Sequence, residues 1–189
     1  MKGLYYHLRE AWKKPDKETL KERMIAWRHS GVFTKVEQPL RLDRAHSLGY
    51  KAKKGFVIIR VRVVRGGHKK SRPNKGRRSK RLTIRKTLKM SYKWIAESRV
   101  AKRYQNLEVL NSYMIGKDGM HYFYEVICVD PSKAEIKSDK QVGFLSKKGH
   151  KNRPLRGLTS AARKSRGLRD KSPTSKVRPS VRAGKRRGK

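Results

Sequence analysis

The chain has 189 residues, and 53 Lys and Arg against 14 Asp and Glu leave a formal net charge of +39. Self-repulsion on that scale opposes compaction and demands a polyanionic partner, of which nucleic acid is the commonest for a soluble protein. No stretch approaches the roughly 20 continuous apolar residues of a membrane span, residues 1–11 lack the apolar core of a secretory signal, and the single cysteine, Cys128, allows neither an internal disulfide nor a multi-cysteine zinc site, so an intracellular, reducing location is expected.

Apolar spacing predicts a first helix through Leu4, Leu8, Ala11 and Trp12, interrupted at Pro15 and Asp16. A second follows through Leu20, Met24 and Trp27, with Gly31 as its stop. "FVIIRVRVVR", residues 56–65, reads as a strand: Val57, Ile59, Val61 and Val63 form an apolar face, and Arg60 and Arg62 on the other are expected to point outward. Residues 65–86 then hold many Lys and Arg with no acid, punctuated by Gly66, Gly67, Pro73 and Gly76. Such composition cannot bury a core and is expected to stay extended until phosphates neutralise it. Leu88, Tyr92, Ala96, Val100 and Tyr104 step by four, predicting a helix over 87–104. "LEVLNSYMI" and "HYFYEVICV", joined by "GKDG", predict an antiparallel hairpin. The remainder, 147–189, is again basic, and residues 140–189 carry Asp170 as their one acid.

The expected architecture is therefore α+β: a small antiparallel sheet packed with helices, with two extended basic segments. The core spans 1–146, interrupted by the arm at 66–86, and 147–189 form a C-terminal extension. Two extensions flanking one core suggest threading between several nucleic-acid segments.

Competing chemistries fail on spacing. A Walker-type phosphate loop needs a second glycine where Gly66 and Gly67 are followed by Ser71 and Arg72. "KKGFVII" opens like the signature strand of an RNA-recognition-motif domain, then presents Val57, Ile58 and Ile59 where aromatics should stack on bases. Glu97, Glu108, Glu125 and the scattered histidines form no acid/base or metal-ligand spacing, so no catalysis and no metal are expected. Glu108 and Glu125 read as a solvated or salt-bridged pair on the sheet, Cys128 as a buried structural thiol, and Trp12, Trp27 and Trp94 as core rather than stacking platforms.

Four stretches, "SLGYKAKKGFVIIRVRVVRGGHKK" (47–70), "VLNSY" (109–113), "FYEVICVDP" (123–131) and "RGLTSAARKSRGL" (156–168), resemble the fifteen-e family of large-subunit ribosomal proteins of archaea and eukaryotes. The motifs keep the family's order across most of the chain; residues 75–86 and those after Arg169 depart from it. The resemblance implies an α+β core, an antiparallel sheet with packed helices, and basic extensions buried in large-subunit ribosomal RNA. It also implies neighbouring large-subunit proteins as partners, a cytoplasmic, ribosomal location, and no cofactor, membrane or small-molecule substrate. The alternative for the same charge is a histone-like DNA-compacting protein.

The RNA-binding residues expected are Lys51, Lys53 and Lys54 before the strand and Arg60 and Arg62 on it. From the arm come Arg65, Lys69, Lys70, Arg72, Lys75, Arg77, Arg78, Lys80, Arg81, Arg85 and Lys86. The C-terminal extension adds Lys147, Lys148, Lys151, Arg153, Arg156, Arg163, Lys164, Arg166 and Arg169. Lys and Arg neutralise phosphates and release counterions, and the arginine fork adds bidentate contact. Thr159 is expected to cap a short helix whose N–H groups make an anion site. The hairpin, carrying Glu108, Asp118 and Glu125, is expected to make few phosphate contacts.

Overall fold

In the computed structural model, which describes residues 2–67, 76 and 89–169, Pro15 and Asp16 divide two N-terminal helices, α1 (Leu4–Lys13) and α2 (Lys17–His29). Asp16 caps α2, its carboxylate accepting from the Thr19 backbone N–H at 2.8 Å and satisfying a first-turn donor. β1 (Phe33–Val36), α3 (Leu42–Ser47), β2 (Phe56–Val64), α4 (Tyr92–Arg103), β3 (Glu108–Lys117) and β4 (His121–Val129) follow. The described chain ends with α5 (Ala134–Lys137), two short 3-10 turns and α6 (Ser160–Ser165). The strands form one antiparallel sheet in the order β1-β2-β4-β3, the α+β arrangement expected, with the predicted hairpin as β3 and β4. β1 and α3 are short, and sequence periodicity did not announce either.

Central β4 is covered on both faces. On one, Ile59, Val61, Val63, Val126 and Cys128 pack beneath Ala96, Val100 and Ala101 of α4. On the other, Trp27 of α2, Ala45 of α3 and Tyr50 pack on Ile58, Tyr113, Phe123 and Ile127. A third cluster around Val129, Ile136, Val142 and Leu145 closes the end of the sheet. The expectation of an outward cationic face on β2 is thereby corrected: Arg60 is half-buried with its guanidinium 5.5 Å from the Trp27 ring, and Arg62 donates to the Arg28 carbonyl at the end of α2. Long aliphatic stems let both cross an apolar layer, which alternation alone cannot reveal.

Two boundaries also move. α4 begins at Tyr92 rather than residue 87, because the Ser91 hydroxyl accepts from Trp94 N–H and so fixes the N-cap; Leu88 lies outside the described residues. Residues 147–169, within the basic segment read from sequence as a C-terminal extension, pack against the core. Trp94 Nε1 donates to the Pro154 carbonyl at 2.7 Å, the Ser91 N–H donates to Ser165 Oγ at 3.2 Å, and Ala161 and Ala162 are buried. Gly55 is fixed by sterics: its φ is 93°, and a Cβ there would lie 2.5 Å from Ile136 Cγ1.

Candidate nucleic-acid interface

The site is defined first by where its acids go. Glu97 in α4 is fully buried, accepting from Ser112 Oγ of β3 and from Thr159 Oγ1 at 2.6 Å. Glu125 in β4 is equally buried and accepts from Tyr113 Oη at 2.5 Å and the Leu40 N–H at 3.1 Å. Glu108 accepts from the Asn152 N–H at 3.0 Å. Burial pushes all three carboxyls above the ordinary carboxylate range, and these hydrogen bonds pull them partly back. Glu108 and Glu125 are not the solvated pair expected: strand register sets Glu108 opposite Val129 and Glu125 opposite Tyr113, and each is held by backbone N–H groups instead. Neither reaches the surface, so the charge argument that set the hairpin apart does not operate for them. Cys128 is fully buried as expected, and burial raises its thiol pKa.

The Thr159 cap forms, since its hydroxyl accepts from Ala162 N–H at 3.4 Å, but the anion beside that helix end is the chain's own Glu97. A carboxylate already fills the position proposed for phosphate. The cationic residues divide similarly. Lys51 and Lys53 clamp Asp139 at 2.8 Å and 2.6 Å and hold its carboxyl below the ordinary range, while Lys54 is exposed. Arg65 is exposed, its guanidinium 5.2 Å from the Tyr122 ring and donating to the Asp118 carbonyl at 2.6 Å. Arg153 is half-buried 5.4 Å from the Phe144 ring, its pKa lowered by desolvation and partly restored by Glu97 and Glu108. Arg156 donates to the Gly149 carbonyl and Arg166 to the Gly157 carbonyl at 2.9 Å. Lys147, Lys148, Lys151, Arg163, Lys164 and Arg169 are exposed. Lys69, Lys70, Arg72, Lys75, Arg77, Arg78, Lys80, Arg81, Arg85 and Lys86 lie outside the described residues.

The fold brings Lys164 and Arg169 to a cleft of about 880 Å³ with Arg44 and Lys93, which sequence reasoning missed. A smaller cleft of about 320 Å³ shares Arg44 and Lys93 and adds Arg9 and Arg41. Arg44 heads the long acid-free stretch of the sequence, a signal that could have singled it out. Lys93 carried no such signal, because Lys93 and Glu97 at i and i+4 look like a surface ion pair on a helix. In the fold Glu97 turns inward to Ser112 and Thr159. Desolvation lowers the Lys93 pKa, Glu97 pulls it back, and Arg44, Arg169 and Lys164 depress it further.

No helix among the described residues is long and apolar enough to cross a membrane. The chain matches the family model described as Ribosomal L15 over residues 3–184. It is 49% identical over 194 residues to the large ribosomal subunit protein eL15 of Methanospirillum hungatei, covering 100% of this chain and 99% of that protein. It is 46% identical over 195 residues to the protein of the same name from Methanocella arvoryzae, covering 100% of each. A likeness running from end to end, on a chain with the sheet and helices that the sequence motifs imply, places it in a family: the chain belongs to the Ribosomal L15 family.

Proposed function

We propose that this chain is a structural constituent of the large ribosomal subunit that binds and stabilises folded large-subunit ribosomal RNA and performs no chemistry. The observation that carries the reading is the end-to-end likeness to proteins named for that subunit. The distribution of charge supports it. Glu97, Glu108 and Glu125 are spent inside the fold, while Lys147, Lys148, Lys151, Arg163, Lys164 and Arg169 stay at the surface. Such a surface lowers repulsion between RNA segments by neutralising phosphates and releasing counterions. The arm at 66–86, the segment 147–189, Lys54 and Arg65 are the remaining contacts proposed, with neighbouring large-subunit proteins as further partners and the cytoplasmic ribosome as the location.

Sucrose-gradient sedimentation of a DNase-treated lysate from cells expressing the tagged chain tests this reading. The chain should track the large subunit. Recovery with DNA before digestion and at the top of the gradient afterwards would favour the DNA-compacting alternative and overturn the ribosomal one.

A further inference from the structure

The cleft between α3, α4, β3 and α6 has four cations on its walls, Arg44, Lys93, Lys164 and Arg169, and no acid. Among the described residues none of the four makes an ion pair with a carboxylate. Charge so gathered is costly. Lys93 is half-buried, and a cation held away from water beside other cations is stable only if something of opposite sign supplies the missing field. The nearest internal carboxylate, Glu97, attracts Lys93 but forms no ion pair with it, its oxygens accepting from Ser112 and Thr159 on the buried side of α4. Ser91, at the positive end of the 12-residue α4, also lines the cleft and adds its helix dipole to the same field.

The shape restricts the anion. The site is concave, with Leu48 and Ala161 offering apolar wall and Asn111 a polar group among the cations. A duplex presents its phosphates on a convex rod, whereas an unpaired strand can enter a groove, lay sugars on apolar wall and hand successive phosphates to lysine and arginine. We infer that this cleft is the seat of an unpaired RNA strand, binding adjacent phosphodiester groups through Arg44, Lys93, Lys164 and Arg169. The inference rests on the RNA-binding reading above and gives it an address that the basic extensions alone do not. It also moves the anion site of α6 from its Thr159 end, which Glu97 occupies, to its Lys164 end.

Binding of the full chain to an oligouridine of about a dozen nucleotides across a salt series tests the inference. Lys164→Ala with Arg169→Ala leaves the core intact, because both side chains are exposed, and Lys93→Met provides a third variant. The pair Lys102→Ala with Arg103→Ala, exposed at the far end of α4, controls for general charge. Loss of two phosphate contacts should shrink the slope of log affinity against log salt by about 1.4, at about 0.7 per single-strand phosphate. The control pair should change it by less than half as much, and 4-thiouridine cross-links should fall in 44–48, 91–93 and 160–169. Equal losses from the cleft and control pairs, with parental binding intact, would overturn the cleft while leaving the ribosomal reading standing. An equal loss with a duplex of the same length would overturn the assignment to an unpaired strand. Failure of the parent chain to bind any RNA would overturn both.

Discussion

Glu97 is the residue whose removal the fold should feel most. Its carboxylate sits fully buried between α4, β3 and the N-cap of α6, accepting from Ser112 and from Thr159 across 62 residues of sequence. Glu97→Ala leaves two hydroxyls without their acceptor in a site water cannot reach, each costing about 1–3 kcal/mol. It also opens a cavity the size of the lost side chain, at about 1–2 kcal/mol after partial collapse, while relief from carboxylate desolvation returns part of this. The net expectation is a loss of about 3–5 kcal/mol, which at 2–4 °C per kcal/mol for a chain of this size lowers Tm by roughly 6–20 °C. Glu97→Gln, which keeps an acceptor and the volume, should lose no more than about 2 kcal/mol. Calorimetric melts of the RNA-free chain measure both, with exposed Glu22→Ala as a control within about 0.5 kcal/mol of the parent. Hydrogen exchange should meanwhile show α6 losing protection before the sheet does, because the Thr159 cap is tied to the core through Glu97. An alanine variant melting within about 1 °C of the parent would refute the claim that this carboxylate fastens the C-terminal segment.

Gly55→Ala should cost about 2–4 kcal/mol, since it adds left-handed strain at φ 93° to a Cβ clash of 2.5 Å with Ile136, and a denaturant melt reads it directly. Cys128, fully buried with its thiol pKa raised, should resist iodoacetamide in the folded chain and react only at the unfolding midpoint, as mass spectrometry would record. Glu125 gives the pH signature. Unfolded it ionises near 4.5, whereas folded its raised pKa keeps the proton longer, so the folded state binds more protons and its stability falls as pH rises from about 4.5 through the folded pKa. Glu125→Gln lacks this loss, so the parent's Tm relative to the variant's should decline as pH rises above about 4.5, and a constant difference would contradict the burial effect. Asp139 acts in the opposite sense: held low by Lys51 and Lys53, it contributes stability above its unfolded value of 3.8 that is lost as pH falls through the folded pKa, and Asp139→Asn should remove that acid limb.

The elements with strong periodicity were legible in the sequence, and those made by tertiary contact were not. β2, α4 and the β3–β4 hairpin carry runs of alternating or four-step apolar residues long enough to fix their type. β1 has four residues, only two alternations, and α3 six, less than two turns, too few for either pattern to stand out, and they exist because β2 and β4 provide a partner edge and an apolar face to cover. Arg60 and Arg62 misled for a related reason. A cation every second residue looks like a solvated face until Trp27, some thirty residues earlier, is known to lie under it. The cationic character of the proposed binding surface follows from composition, but the cleft does not: Arg44, Lys93 and Lys164 belong to three helices that only the folded sheet brings together.

The unequal distribution of acids along the sequence acquires a mechanical meaning in the fold. Glu97, Glu108, Glu125 and Asp139 all come from the acid-bearing stretch around the hairpin, and each reaches into a different part of the chain. Glu125 holds the Leu40 backbone 85 residues away, Glu108 that of Asn152 at 44, Glu97 the Thr159 hydroxyl at 62, and Asp139 the ammonium groups of Lys51 and Lys53 at 88 and 86. Three of these four tie down segments of residues 44–96, which hold no acid, or of 140–189, which hold one, segments that their own charge would otherwise push away from the core. A buried carboxylate is a poor source of net stability, but as an acceptor for one particular distant donor it selects a single arrangement of a chain carrying +39. Glu97, Glu108 and Glu125 work inside and form no ion pair among the described residues, and Asp139 pairs with Lys51 and Lys53 alone. The same residues that let so basic a chain fold therefore leave Arg44, Lys93, Lys164 and Arg169 without a carboxylate partner among the described residues, which is what the proposed phosphate cleft requires.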